Sequence, residues 1–171
     1  LAWYRHEESG GDRELRLAGA VVWFWYFRGY VSEGRTQLET TLANAPSDDR
    51  SLARAKVLSA AGVMAYLQSD YAAARSRLEA ALSIWEEYAD KRGTAFTLAF
   101  LGRVLNRQGE RSAVPMLERS ADLFRDVAER WGLALALDFL GTALLGASWS
   151  AEDDKRVAAL HEESIALYRE L

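Results

Sequence analysis

The chain has 171 residues, 50% of them hydrophobic and 27% charged, with a formal net charge of −4 and no cysteine. That is enough apolar material for one domain with a core, or for a stack of small repeated units, and it excludes intrinsic disorder. The missing cysteines exclude a disulfide framework, a thiolate zinc site and a cysteine nucleophile, and the acidic balance argues against a protein built to coat nucleic acid.

Leu1 to Tyr4 reads as the end of a helix running into Glu7–Gly11, and Ile165 to Leu171 continues a helical pattern without a Gly or Asn stop. Both ends are those expected of a segment cut from a longer protein. The apolar run Leu17 to Phe27 lies between Arg16 and Arg28, far short of the ~20 residues of a membrane span. With no signal peptide either, a soluble cytoplasmic protein without a membrane partner is expected.

From there apolar residues recur at three- and four-residue spacing, as in Leu78, Ala81, Leu82 and Trp85 or Leu117, Ala121 and Phe124. Breaks fall near Arg28–Ser32, Ala45–Asp49, Gln68–Asp70, Asp90–Gly93, Gln108–Ser112, Glu129–Gly132 and Ser148–Asp154. Ser32 with Glu33, Asp48 with Asp49, Asp70 and Ser112 are candidate N-caps, and Pro115 suits a first turn. The expectation is an all-α chain of eight helices in four pairs, over about residues 12–45, 48–90, 92–129 and 131–171, forming a single domain.

The pairs repeat. An offset of 40 places Val22, Gly62 and Gly102 in one column, and a further step of 39 adds Gly141. Leu38, Leu78 and Leu117 form a second column, and Thr41, Ala81, Ser120 and Ser164 a third. Trp85–Gly102 laid on Phe124–Gly141 gives identities at Ala89/Ala128, Gly93/Gly132, Ala95/Ala134, Leu98/Leu137, Phe100/Phe139, Leu101/Leu140 and Gly102/Gly141. A glycine inside a helix costs about 1 kcal/mol relative to alanine, so a repeated one implies close approach of the partner helix. Neither member of a pair buries its apolar face alone, so the pairs are expected to stack as a solenoid of antiparallel helix pairs with a period of about 40.

Leu58…Ala61-Gly62…Ser69-Asp70-Tyr71…Ala74…Leu78…Ala81 resembles a tetratricopeptide repeat, and Leu98…Gly102…Gly109-Glu110 and Leu137…Gly141 resemble its first half. The long-period form, with Trp23-Phe24-Trp25…Arg28-Gly29-Tyr30…Glu33-Gly34-Arg35, resembles the C-terminal repeat region of large bacterial signal-transduction ATPases and LuxR-type transcriptional regulators. The resemblance implies a right-handed superhelix and a non-enzymatic interaction or regulatory module of a larger signalling protein. The third pair lacks one residue between Gln108 and Leu117, and the fourth carries extra residues around Ser148–Lys155.

Gly29 to Thr36 has the glycine spacing of a phosphate loop, but Arg35 stands where the lysine belongs, and Gly29, Ser69 and Gly109 share one repeat column. Gly29 is thereby explained as the turn inside a helix pair. His6 and His161 are too distant in sequence for a metal site, and His161 falls close to the Leu38/Leu78/Leu117 column, which makes it a packing residue. The acidic pairs Glu7-Glu8, Glu86-Glu87 and Asp153-Asp154 read as solvated helix ends. No catalytic, cofactor or metal site is expected.

The first helix of each pair is expected to line a concave groove, through Arg16, Trp23 and Tyr26 in the first pair and Lys56, Ser59, Val63 and Tyr66 in the second. Phe96, Arg103, Asn106 and Arg107 follow in the third pair, and Asp138 and Thr142 in the fourth. The arginines with Asn106 suit a carboxylate or acidic peptide, as similar positions do in carboxylate-clamp members of the family. The favoured partner is a protein or peptide, including another domain of the same chain, without direct nucleic-acid contact. The alternative is a small-molecule sensor stacking its ligand on Trp23, Tyr26 and Tyr66. Plain packing of Trp23 and Tyr26 under an earlier helix, and a solvated arginine face, stay open at this point. The exposed terminal helix faces offer a route to a homodimer.

Overall fold

Helix-forming composition and the paucity of proline leave the backbone one economical way to satisfy its hydrogen bonds. The computed structural model describes residues 10–146 and 151–171, and they form nine helices. These are α1 (Gly10–Ala20), α2 (Val22–Arg28), α3 (Val31–Asn44), α4 (Leu52–Leu67), α5 (Tyr71–Glu87), α6 (Lys91–Arg107), α7 (Ala113–Asp126), α8 (Arg130–Leu145) and α9 (Ala151–Arg169). The readings placed on Leu1–Tyr4, His6, Glu7, Glu8 and Ser148 lie outside the described residues. The ninth helix arises because the first helix of the first pair is divided at Val21, whose φ of −93° and ψ of 3° interrupt it. Gly10 and Gly11 open α1 instead of forming a break before it.

The turns carry one repeated device. Gly29, Ser69 and Gly109 end the first helices of three pairs, and Ala89 and Ala128 end the second helices of two, all at φ between 52° and 75°. At each, the next N–H reaches back five residues: Tyr30 to Trp25, Asp70 to Ala65, Glu110 to Leu105, Asp90 to Trp85 and Glu129 to Phe124, at 2.9–3.0 Å. That bond satisfies a carbonyl the helix end would otherwise leave open. It also explains why Gly29, Ser69 and Gly109 form one sequence column.

The N-caps differ in part from expectation. Asp70 caps α5 through the Ala73 N–H. The cap of α4 is Ser51, whose hydroxyl accepts from Arg54 N–H, while Asp49 holds Ser51 through its N–H and hydroxyl. Ser32 lies within the first turn of α3, and Ser112 sits at the cap position of α7 without a side-chain cap bond. Asp90 and Glu129 cap α6 and α8 through the N–H groups of Gly93 and Gly132.

Sequential pairs pack as expected from the small-residue columns. The closest partners are α4 with α5, α6 with α7 and α8 with α9, and each pair then packs on the next through α5 with α6 and α7 with α8. A Cβ added at Gly62 would lie 2.6 Å from Leu78 Cγ, and one at Gly102 would lie 2.6 Å from Leu117 Cγ. Both leucines are fully buried, each worth about 1.5–3 kcal/mol of apolar burial. In the fourth pair His161 takes the leucine's place, its ring against Gly141. This is the packing role read for it from the sequence. Ser120 and Ser164, aligned in one column, donate to the carbonyls of Ala95 and Ala134, also aligned, at 2.7 and 2.8 Å. The glycines at the starts of α6 and α8 admit aromatic rings: a Cβ at Gly93 would meet Trp85, and one at Gly132 would meet Phe124, each at 2.3 Å.

Long arginines join successive second helices. Arg77 of α5 pairs with Glu39 of α3 at 2.5 Å, Arg119 of α7 with Glu86 of α5 at 2.8 Å, and Arg156 of α9 with Glu118 of α7 at 2.5 Å. Half-exposed pairs of this kind each contribute about 0–1 kcal/mol, so the core columns carry the stability and the ladder sets alignment.

Candidate surface on the first helices

Helical periodicity puts one stripe of each first helix against its own partner and leaves another facing away. Along that second stripe the first helices touch one another directly, α4 with α6 and α6 with α8. The stripe divides into a cationic end and an aromatic end.

The cationic end is built where α4 and α6 finish. Arg103 donates from Nε to the Tyr66 hydroxyl at 3.1 Å, and its guanidinium carbon lies 4.9 Å from the centre of the Phe139 ring. One terminal nitrogen of Arg103 is buried with no hydrogen-bond partner. Arg107, one turn on, has its pKa raised by hydrogen bonding to Tyr66, with smaller contributions from its charge interactions with Tyr66 and Tyr71. Among the described residues neither arginine has a carboxylate within ion-pair distance. Arg35, Arg75, Arg77, Arg119, Arg125 and Arg156, on the second helices, all do. Asn106 is half-buried between Arg103 and Arg107 in sequence.

The aromatic end depends on α2. The Trp23 ring stands 5.8 Å from Phe96 of α6 and 5.0 Å from Trp131 of α8, nearly perpendicular to both. Phe96 continues to Phe100 at 5.0 Å, and Phe100 to Phe139 at 5.6 Å, so a line of rings connects the two ends. A cavity of about 660 Å³ is lined by residues of α2, α4 and the starts of α6 and α8.

The remaining expected residues are placed as follows. Arg16 is exposed on α1, and Lys56 is exposed on α4 with its aliphatic stem over Gly19. Ser59 is 3% exposed, and its hydroxyl, 2.9 Å from that of Thr97, accepts from the Trp85 indole at 3.0 Å. Its hydrogen-bonding capacity is therefore used inside the stack. Val63 is buried, and Tyr26 is half-buried against the core. Asp138 and Thr142 are half-buried, and the Thr142 hydroxyl donates back to the Asp138 carbonyl at 2.9 Å. Trp23 faces Phe96 of α6 and Trp131 of α8.

Sequence reasoning missed Trp131, Phe139 and Phe100. The identity of Phe100 with Phe139 in the repeat alignment was a usable signal, whereas nothing in the periodicity pairs Trp131 with Trp23. The phosphate-loop pattern is dismantled here. The residues before it form helix α2 where a phosphate loop follows a strand, Arg35 is bound to Asp70 and Gln68, and the Thr36 hydroxyl donates to Ser32 O in its own helix.

A family sequence model described as "Tetratricopeptide repeat" matches residues 53–126. That span runs from α4 to the end of α7. Part of the chain is thus a tetratricopeptide-like helical repeat region. A search of curated proteins finds no match. Among the described residues no three His, Cys, Asp or Glu side chains are placed to share a metal ion, and no helix is long and apolar enough to cross a membrane. The described residues form an all-α stack of helix pairs, the architecture of a helical-repeat scaffold.

Proposed function

We propose that the first-helix surface binds a peptide or partner domain, and that Arg103 and Arg107 take a carboxylate of that partner. The observation that carries this reading is the buried, unpartnered nitrogen of Arg103. A buried charged donor without an acceptor costs about 1–3 kcal/mol or more, and the cost is removed when an acidic group docks. Tyr66 and Phe139 already hold the guanidinium plane, so little side-chain freedom remains to be lost on binding. Direct contact between first helices, with long arginine–glutamate pairs spanning the second helices, supports a stack that curves toward the first-helix face. In this reading the whole segment is one right-handed solenoid domain with a concave binding face.

The sequence resemblance to repeat regions of bacterial signal-transduction ATPases and LuxR-type regulators supports a regulatory module, in which partner binding biases the parent between two arrangements. Exposed Leu17 on α1 and Ile165 and Tyr168 on α9 are the faces through which a neighbouring segment or second copy would cap the stack.

The test is selection from a random peptide library displayed with free C-termini, followed by anisotropy titration of the selected peptides and their carboxamide counterparts. Carboxylate-bearing peptides should be selected, and Arg103→Gln should weaken them about tenfold or more. Arg103→Lys should fail to restore binding, because a point charge does not replace a planar fork. Selected peptides that bind Arg103→Gln as tightly as the parent protein overturn the reading.

A further inference from the structure

We propose that the cavity beneath α2 is a second binding site, for a small organic cation with an apolar body. It goes beyond the peptide reading and uses none of the residues that bind the carboxylate. Asp90, at its rim, and Arg103 are separated by about 20 Å along α6.

The first argument is shape and lining. A volume of about 660 Å³ lies within the range of small-molecule sites. Trp23, Phe27, Phe96 and Trp131 supply its walls. Trp23 packs edge-to-face with Trp131 and Phe96, at 84° and 83°, so the rings present differently oriented surfaces along one side of the cavity. Aromatic faces, tryptophan above all, attract cations through their electron-rich π clouds.

The second argument is the sign of the fixed charge. Asp90 and Glu129 line the same cavity, each held in place by the glycine N–H that it caps, and each keeps lone pairs for a further donor. The Glu129 side chain is 20% exposed, whereas Arg92, 3.8 Å away, is 75% exposed. The other nearby cation, Lys56, is exposed with its stem over Gly19. Lys56 and Arg92 also line the cavity, but both are exposed to water, which screens them, whereas the Glu129 side chain is largely covered, where charge is felt more strongly. A cationic ligand entering this space would meet the covered Glu129 carboxylate and π faces together, and would compete with the exposed Arg92 for that carboxylate. The sequence-based alternative placed a small molecule on Trp23, Tyr26 and Tyr66; Tyr66 is instead bonded to Arg103 at the far end.

The experiment titrates the protein with benzyltrimethylammonium, with neutral N,N-dimethylbenzamide and with benzoate. Binding is read by calorimetry and by the indole N–H signals of Trp23 and Trp131, assigned through single Trp→Phe variants. The cation should bind saturably and move both indole signals, the neutral amide should bind about tenfold more weakly, and benzoate should not bind. Glu129→Gln keeps an acceptor for the Gly132 N–H and should weaken the cation about fivefold or more. Asp90→Asn, a second variant with the same logic, protects the test should Glu129→Gln lose helicity. Equal binding of cation and amide, binding that leaves the two indoles unmoved, or an unchanged affinity in whichever variant keeps parental helicity overturns the proposal. None of these outcomes bears on Arg103, so the two readings fail separately.

Discussion

Gly102→Ala tests the idea that the glycine column exists to admit a leucine. A Cβ at this position lies 2.6 Å from Leu117 Cγ, 3.0 Å from its Cδ2 and 3.2 Å from the Ala113 carbonyl oxygen. Normal carbon contacts are ~3.5–4 Å, so the leucine or the helix must move. Overpacking of this kind costs about 1–3 kcal/mol, and the better helix propensity of alanine returns about 1 kcal/mol. The expected result is a net destabilisation of up to about 2 kcal/mol. Leu117→Ala removes the atoms in the way, at its own cost of about 2–5 kcal/mol. In that background the clash with the leucine is gone and only the 3.2 Å approach to the Ala113 carbonyl still opposes the propensity gain, so Gly102→Ala should cost less than in the parent by about 1 kcal/mol or more.

The assay is urea unfolding of the four proteins, followed by circular dichroism in one osmolyte-containing buffer that keeps the weakest variant folded. With slopes of about 1–3 kcal/mol per molar urea, the coupling appears as midpoint shifts of several tenths of a molar or more. Gly19→Ala is the internal control, because its Cβ meets only the flexible Lys56 stem at 3.0 Å and should not destabilise. The same effect of Gly102→Ala in both backgrounds would falsify the close-packing argument.

Three further outcomes follow from other positions. His161→Leu should raise the unfolding midpoint by the equivalent of about 1 kcal/mol, since it restores the residue type of Leu78 and Leu117 and removes a buried nitrogen without a partner; a lowered midpoint would count against the shared column. Ala89→Gly, at a φ of 52°, should stabilise by up to about 1 kcal/mol by relieving left-handed strain, while Gly109→Ala, at 74°, should destabilise by a similar amount. Asp70 is held below the ordinary carboxylate range by the hydrogen bond from Arg35 and then by the Ala73 N–H. Its contribution is therefore full above that range and is lost as pH falls through the lowered value, so the stability difference between the parent and Asp70→Asn should shrink in acid. A difference that stays constant in urea titrations from about pH 7 to pH 2 removes Asp70 as a source of the acid limb.

Much of the architecture was legible because it is local. Three- and four-residue spacing, the turn columns and the glycine–leucine columns each follow from the geometry of one helix or one pair, and the repeat wrote them several times. The misplaced caps have an equally local cause. Asp48, Asp49 and Ser51 all offer cap oxygens within four residues, and which one serves is set by where the chain turns from extended backbone into α4. The division of the first helix at Val21 left no sign in the pattern, since Val22 to Phe27 remains apolar on either reading.

The candidate surface was legible in membership and not in grouping. Trp23, Val63 and Arg103 share a column at an offset of 40, so the sequence by itself determined that they occupy equivalent positions on their helices. Only the tertiary structure decided that Trp23 meets Trp131, that Ser59 is used up by Trp85 and Thr97, and that Arg103 lies over Phe139 with a nitrogen left over. The physical reason is that a repeat pattern records what each unit needs from its immediate neighbours. The contact of Trp23 with Trp131 joins units that are not neighbours in the repeat, so no single unit records it.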